Sequence, residues 1–439
     1  GRWASLRQQK RAPPVFFPKL QLLIHSAPTN SNFRFAGSKL VDKAKHRIAH
    51  VITNADAFGG AQRNTLLTLT GLVRDGYEAE LVCGPGGRLI EEARTNGIPV
   101  YVVPDLIRQI HPVKDCRALF ILSKLFRSRQ YHIVHTHSTK GGVLGRLAAW
   151  LAQVPVIVHT VHGIPFEMNG DMKSRLYIGM EQVMGTVTDR LVCVGKELCR
   201  EVGEWAIVPN EKLVTIYSGI DFSSYVAQRS ALVVKRELGI EDAWPIVGCI
   251  GRLSQQKAQH YLLQAISLLK KDYPKIKLLL VGEGQLRPLL EKQIQALGLS
   301  THIRLLGQRD DVADLLQVFD IYAMSSRWEG VGRALTEAMH CARPIVATAV
   351  NGVTELIIHE ETGLCAPPHD PTALAAAINR LALDPELARR LASNAQRKAG
   401  DLMDARQMVL ALEELYGRLT WANVVTRSRE PIQARRTLD

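Results

Sequence analysis

Two stretches of this 439-residue chain combine cations, carboxylates and glycines at spacings that suit a phosphate-bearing ligand. The first is Gly251-Arg252-Leu253 with Lys257 close behind, between an apolar run and a helix start. A diphosphate needs cations at fixed positions; arginine can grip two oxygens at once, and lysine adds a point charge. Taken alone the pair is a weak signal, because most arginines and lysines are solvated surface charges. The second stretch carries Glu329-Gly330-Val331-Gly332 and, eight residues after the first glutamate, Glu337. Its glycines leave backbone N–H groups at a helix start, where exposed donors and the helix dipole favour an anion. Ionised carboxylates only accept hydrogen bonds. Glu329 in the loop therefore suits sugar hydroxyls, and Glu337 further along suits a ribose.

The first half of the chain offers Gly59-Gly60-Ala61, His135-Thr136-His137-Ser138-Thr139-Lys140 and Thr160-Val161-His162-Gly163. Glycines at such a turn let backbone approach a ligand, although a plain strand–helix turn has the same composition. The pair His135 and His137 invites a metal reading, but no third ligand appears at useful spacing. Packing or acceptor-side contacts fit that pair better, and no metal is expected. No Asp-x-Asp pair follows a strand, so the chemistry is expected to be metal-independent and without a cofactor.

These residues need elements to place them. From residue 46 apolar runs alternate with helical patterns: strands at 46–53, 78–83, 99–103, 132–135, 155–161, 191–194 and 214–217, with helices between. The pattern fades over residues 222–243, a linker with a helix in it, and restarts at Pro245. Strands then fall at 246–250, 276–281, 303–306, 321–323 and 344–347, before Ala-rich helices at 371–420. Such alternation predicts α/β architecture with parallel sheets covered on both faces. Ligands bind beyond the carboxyl ends of strands in sheets of this kind, and the informative residues all follow strands. The expected division is 1–45 a basic extension, 46–221 the first Rossmann-like domain, 222–243 the linker, 244–415 the second, and 416–439 a helix end with a polar tail. Together they make two doubly wound domains facing across a cleft.

The motifs resemble glycosyltransferase family 4, retaining enzymes of the GT-B fold. That family's Gly-Arg-Leu-x-x-x-Lys-Gly segment is matched at Gly251, Arg252, Leu253 and Lys257, with Ala258 in place of the last glycine. Its Glu-Gly-x-Gly/Pro-x-x-x-x-Glu segment is matched in full from Glu329 to Glu337. Val281-Gly282-Glu283-Gly284, Gly307, Asp311-Val312, Asn351-Gly352-Val353-Thr354-Glu355 and Glu361-Thr362-Gly363-Leu364 also fit, so the resemblance covers about residues 46–415. It implies that Gly59, Gly60, Arg252, Lys257, Gly330, Val331, Gly332 and Glu337 bind the donor. It further implies that His162 sits near the transferred sugar, and that His162, Arg252, Lys257 and Glu329 serve the reaction. His137 and Lys140 would lie on the acceptor side. The implied activity is retaining transfer of a sugar, of hexosyltransferase type, from a nucleotide diphosphate sugar, most commonly a UDP-sugar. The implied acceptor is a glycan or lipid-linked sugar in surface polysaccharide or lipopolysaccharide synthesis. An alternative on the same fold is a nucleotide-sugar epimerase, which would need acid/base carboxylates in the first domain such as Asp56, Glu167 or Asp171. Another is a catalytically idle sugar-nucleotide-binding protein.

The bulk composition agrees with a globular enzyme: 46% hydrophobic and 22% charged residues, enough chain for two or three domains. Seven scattered cysteines without a C-x-x-C pair argue against a disulfide framework or zinc site, and fit a reducing cytosol. The net charge of +13 is concentrated in residues 1–47, where ten Lys/Arg face one acid, Asp42. No basic helix interleaves with aromatics, so nucleic acid is not an expected partner. The extension reads as a disordered tail, or as a basic arm resting on the inner face of the plasma membrane. No run of eighteen apolar residues occurs, so no spanning helix is expected.

Overall fold

The structure, a computed structural model, describes residues 46–428 apart from 54, 56–58, 167 and 169. The basic extension, the end of the polar tail, and the candidate carboxylates Asp56 and Glu167 lie outside the described residues.

The first sheet contains β1 (Arg47–Ile52), β2 (Glu78–Cys83), β3 (Val100–Val102), β4 (Ile133–His137), β5 (Val156–Val161), β6 (Arg190–Cys193) and β7 (Leu213–Thr215). Its order is β3-β2-β1-β4-β5-β6-β7, with every pairing parallel. The second contains β8 (Ile246–Ile250), β9 (Lys277–Val281), β10 (Ile303–Gly307), β11 (Ile321–Met324), β12 (Ile345–Thr348) and β13 (Leu364–Ala366). Its order is β10-β9-β8-β11-β12-β13, again all parallel. The central strands are buried along nearly their whole length, as expected when helices cover both faces. In each sheet the strand order reverses once, between β1 and β4 and between β8 and β11. Crevices open at such switch points; the segments that follow β1, β4, β8 and β11 carry Gly59, Lys140, Lys257 and Glu329, while His162 follows β5.

The linker is not slack. Its helix Ala231–Glu237 buries Val234 in the second domain's core, and Arg229 pairs with Asp311, Asp314 and Glu237.

One expectation needs correcting. Residues 405–415 were assigned to the second domain, but the helix Ala405–Ser428 crosses back to the first. It buries Met408, Val409, Leu412, Leu415, Tyr416 and Leu419 against Ile48, Ile52, Leu69 and Leu72. Those six positions form one helical stripe, which a sequence reading sees as amphipathic but cannot assign to a partner. The crossing is pinned by Ile220, whose N–H reaches the Met403 carbonyl at 2.7 Å and whose carbonyl takes the Ala405 N–H at 3.1 Å.

The helix Gly60–Arg74 meets this last helix at Gly71, where a Cβ would lie 2.5 Å from Val409 Cγ2. Gly71→Leu should therefore destabilise the protein by about 2 kcal/mol, the usual cost of overpacking. Urea unfolding checks this, and adding Val409→Ala should recover part of the loss because the two sites are in contact.

Candidate active site

The two second-domain candidates, 72 residues apart in sequence, are one ion pair in space: Lys257 Nζ donates to Glu329 Oε1. The lysine side chain is 18% exposed and the glutamate 5%. Ser326 Oγ, 2.6 Å away, donates to the same oxygen. The local backbone explains the approach. At Gly251, just after β8, a Cβ would come 3.3 Å from Lys257 Cε, so the glycine lets the lysine fold down over the strand end. Gly282 packs still closer: its Cβ would lie 2.3 Å from the Gly251 carbonyl oxygen. Arg327 N–H donates to the Gln256 carbonyl at 2.8 Å and Gln256 Nε2 to the Trp328 carbonyl at 3.0 Å, lacing the two loops together. Arg252 is exposed and pairs with no carboxylate among the described residues.

Glu337 is held in the same way. Arg333 Nε donates to its Oε1 at 2.9 Å, and the hydroxyl of Tyr225, from the linker, donates to that oxygen too. In both glutamates every hydrogen bond falls on Oε1. The second oxygen is neither bonded to a described residue nor buried. Each carboxylate is thus held through one oxygen and leaves the other accessible as an acceptor. Between them, Gly332 adopts a left-handed conformation at φ +75° and begins the helix Arg333–His340 with no side-chain cap. The first N–H groups of that helix are left for an anion. Val331 is 7% exposed and belongs to the core, so only its backbone faces a ligand.

The first domain brings His162 to this loop. A Cβ on Gly330 would lie 2.3 Å from the His162 carbonyl oxygen, so only glycine allows the two domains to touch here. Burial pushes the His162 imidazolium down to about 4, which keeps the ring neutral near pH 7. Gly60 opens the helix Gly60–Arg74, and nothing lies within 4 Å of where its Cβ would be, while Gly59 caps that helix in extended conformation without a side-chain bond. The charge of Arg63, one turn on, is felt at Tyr225 beside Glu337. Helix start, histidine and both glutamates therefore converge on one region.

Three first-domain candidates are engaged by other residues. His137 is 1% exposed, and its ring nitrogens bond His50 and His162 at 2.9 Å each; it stands behind His162 and is closed to an acceptor. Lys140 pairs with Asp115 at 2.5 Å and donates to the Gln109 carbonyl, so its charge is already countered. Asp171 caps the helix Met172–Thr186, accepting from Ser174 N–H at 2.8 Å and Ser174 Oγ at 2.7 Å. Those bonds hold its carboxyl below the usual carboxylate range, which suits a cap and not a catalytic acid.

The sequence reading missed His50, Tyr225, Ser326 and Tyr416. His50 is the third histidine that spacing did not supply: β1 and β4 pair His50 with His135, and the ring nitrogens of His50, His135 and His137 lie within 4.8 Å of one another. Nothing in local periodicity could reveal it, because the register joins strands about 85 residues apart. Those nitrogens already bond one another, Tyr416 and Thr160, so an ion would have to displace these bonds.

Comparison with known proteins gives concordant results. Residues 58–224 match the family model "Glycosyltransferase Family 4" and residues 233–398 match "Glycosyl transferases group 1". The chain is 30% identical over 381 residues, 85% of its length and 97% of the relative's, to the Escherichia coli UDP-Gal:alpha-D-GlcNAc-diphosphoundecaprenol alpha-1,3-galactosyltransferase. It is 30% identical over 292 residues, 65% of its length and 76% of the relative's, to the putative Bacillus subtilis glycosyltransferase EpsD. In fold it is similar to Anabaena HepE, solved in complex with UDP, with a TM-score of 0.72 at 24% identity over 84% of this chain and 99% of that one. With two all-parallel sheets, both family models matched in order, and a relative aligned over nearly its whole length, the chain belongs to glycosyltransferase family 4, with the GT-B fold.

Proposed function

We propose that the chain transfers a sugar from a UDP-sugar to a glycan or lipid-linked acceptor, with retention of anomeric configuration and without a metal ion. The observation that carries this reading is the Lys257–Glu329 pair lying beside His162 and Gly330. A cation, a carboxylate with one accessible oxygen and a neutral imidazole there suit a diphosphate joined to a sugar. The E. coli relative's name specifies UDP-Gal and a diphosphoundecaprenol-linked acceptor, and HepE was solved with UDP and with UDP-glucose; both support a uridine donor here.

The chemistry follows from where charge develops. The bond between the anomeric carbon and the diphosphate oxygen breaks, leaving its electron pair on the diphosphate. Arg252, Lys257 and the uncapped helix start at Arg333 stabilise that charge as it forms. The acceptor hydroxyl attacks the same face of the sugar, and its proton passes to the departing phosphate oxygen. The accessible oxygens of Glu329 and Glu337 accept from sugar and ribose hydroxyls. Contact between the domains at Gly330 and His162 excludes water from the donor.

The ion pair shapes the mutational test. Arg252→Ala removes an exposed cation, so transfer should fall by about 100-fold with the melting temperature unchanged. Lys257→Ala also strands a buried carboxylate, which costs about 3–5 kcal/mol, and should lower the melting temperature as well. Lys257→Met with Glu329→Gln should restore stability but not transfer. Near-normal transfer in Arg252→Ala/Lys257→Ala would refute the donor-site assignment.

The nucleotide is tested by thermal shift against UDP, GDP and ADP with and without EDTA, since a ligand that binds the folded form raises its melting temperature. A shift with UDP that EDTA does not alter is expected. No shift with any nucleotide at saturation would return the idle-homologue reading.

A lipid-linked acceptor requires the membrane surface, and no described helix is long and apolar enough to cross a membrane. The helix Pro112–Arg129 instead exposes Val113, Arg117, Phe120, Lys124 and Arg127 along one stripe, with Ile110 just before it. Phe120 is 71% and Ile110 88% exposed. Apolar residues interleaved with cations suit an anionic bilayer surface. Phe120→Glu with Lys124→Glu should reduce co-sedimentation with phosphatidylglycerol vesicles at low salt, as should removal of residues 1–45 if the extension assists. Unchanged sedimentation in the double variant would overturn this surface assignment.

A further inference from the structure

The histidines behind His162 form a single hydrogen-bonded chain. His162 Nε2 lies 2.9 Å from His137 Nδ1, and His137 Nε2 lies 2.9 Å from His50 Nδ1. His50 Nε2 lies 3.3 Å from the Tyr416 hydroxyl, which also bonds His135 Nδ1. His135 Nε2 ends the chain on Thr160 Oγ1 at 2.7 Å.

Ring geometry shows that the links are in-plane bonds. The His50 and His137 centroids are 5.1 Å apart with planes 16° from parallel, and those of His137 and His162 are 5.2 Å apart at 34°. Such separations equal two ring radii plus one N–H···N bond, so these rings meet edge to edge along their nitrogen lone pairs. His135 and His137, at 4.5 Å, are instead stacked and share no bond. Burial holds His50 down to about 3, and His135 and His137 well below the ordinary histidine range, so the rings are neutral. A neutral imidazole donates from one nitrogen and accepts at the other. Fixing the proton on one ring therefore fixes it on every ring, and only two polarities exist.

The end at Thr160 decides between them. Thr160 is 4% exposed, and His135 Nε2 is the only hydrogen-bond partner of its hydroxyl among the described residues. If His135 donated to Thr160, the buried hydroxyl hydrogen would be left without an acceptor, which is costly. With Thr160 donating, the bonds run from Thr160 to His135, Tyr416, His50, His137 and His162, and every buried donor is used. His162 Nε2 then accepts, and its Nδ1 carries the proton.

We propose that this chain sets the tautomer of His162, presenting Nδ1–H as a donor to an oxygen of the nucleotide-sugar, with His137, His50 and Tyr416 as positioning residues. The ligand in this proposal rests on the reading that His162 adjoins the donor sugar; the tautomer does not. Tyr416 lies on the last helix, so the ring facing the substrate is set only when that helix is docked on the first domain.

The test uses the full chain with ¹⁵N-labelled histidine, without nucleotide, in long-range ¹H–¹⁵N correlation spectra assigned with His162→Gln. Wild-type His162 should show a protonated-type Nδ1 and an unprotonated-type Nε2. Tyr416→Phe removes only a hydroxyl from the chain, and should shift both His162 nitrogens toward the averaged position of two exchanging tautomers. Thr160→Val, at the far end, should do the same or reverse the tautomer, and melting curves check that either variant folds. A His162 signature unchanged in both folded variants, or a wild-type Nε2–H, overturns the proposal. So does a chelator-dependent change at His50, His135 and His137 accompanied by bound metal, which would replace the chain with a metal centre. Because no nucleotide is present, a failure here is distinct from a failure of the thermal-shift test of donor binding.

Discussion

The contact between Lys257 and Glu329 fixes the site, and much of the surrounding backbone is arranged to permit it. A buried carboxylate is tolerable only with its charge answered, and here the answer comes from a different loop, beyond a different strand. Bringing those loops together requires main chain to pack against main chain. Gly282 against the Gly251 carbonyl and Gly352 against the Gly330 carbonyl leave no room for a Cβ. These glycines let the loops close on the ion pair.

The same economy of space governs the contact between domains. Gly330 meets the backbone at His162, and Glu355 reaches across to accept from the N–H groups of Lys196 and Glu197 at 3.0 and 3.2 Å. It also takes the hydroxyl of Tyr217, and Arg88 pairs with Asp310 at 2.8 Å. Polar and exposed contacts of this kind are individually weak, and they stand beside a buried apolar seam in which Val194 and Leu198 of the first domain share one cluster with Val331 and Val353 of the second. The carboxylate of Glu355 sits at the start of the helix Lys196–Glu204, where the helix dipole favours it.

The first domain is completed only by the end of the chain. Ile48 of its sheet and Leu69 and Leu72 of the helix Gly60–Arg74 need a cover, and the helix Ala405–Ser428 supplies it after the whole second domain has intervened. That crossing also delivers Tyr416 to the histidines. Folding of the first domain thus depends on residues about 350 positions away, the kind of long-range closure that slows folding and couples the stabilities of the two domains.

Much was legible in the sequence because period-two and period-3.6 patterns report burial directly: buried parallel strands must be apolar, and the helices between them amphipathic. Strand–helix alternation, the restart at Pro245, and the cations and carboxylates after strands all follow from that. Arg252, Lys257 and Glu329 could be named from their spacing with glycines after strands, and His162 from the family resemblance. What only the tertiary structure decided is partnership. Strand register put His50 beside His135; loop packing turned Lys257 and Glu329 into one ion pair; helix docking placed Tyr416 beside the histidines and withdrew residues 405–415 from the second domain. His137 and Lys140 looked available in sequence and are occupied in space by His50 and Asp115. Periodicity records which side of an element is buried. It carries no information about which distant residue shares that burial, because hydrogen bonds and ion pairs depend on distances set by the packing of whole elements.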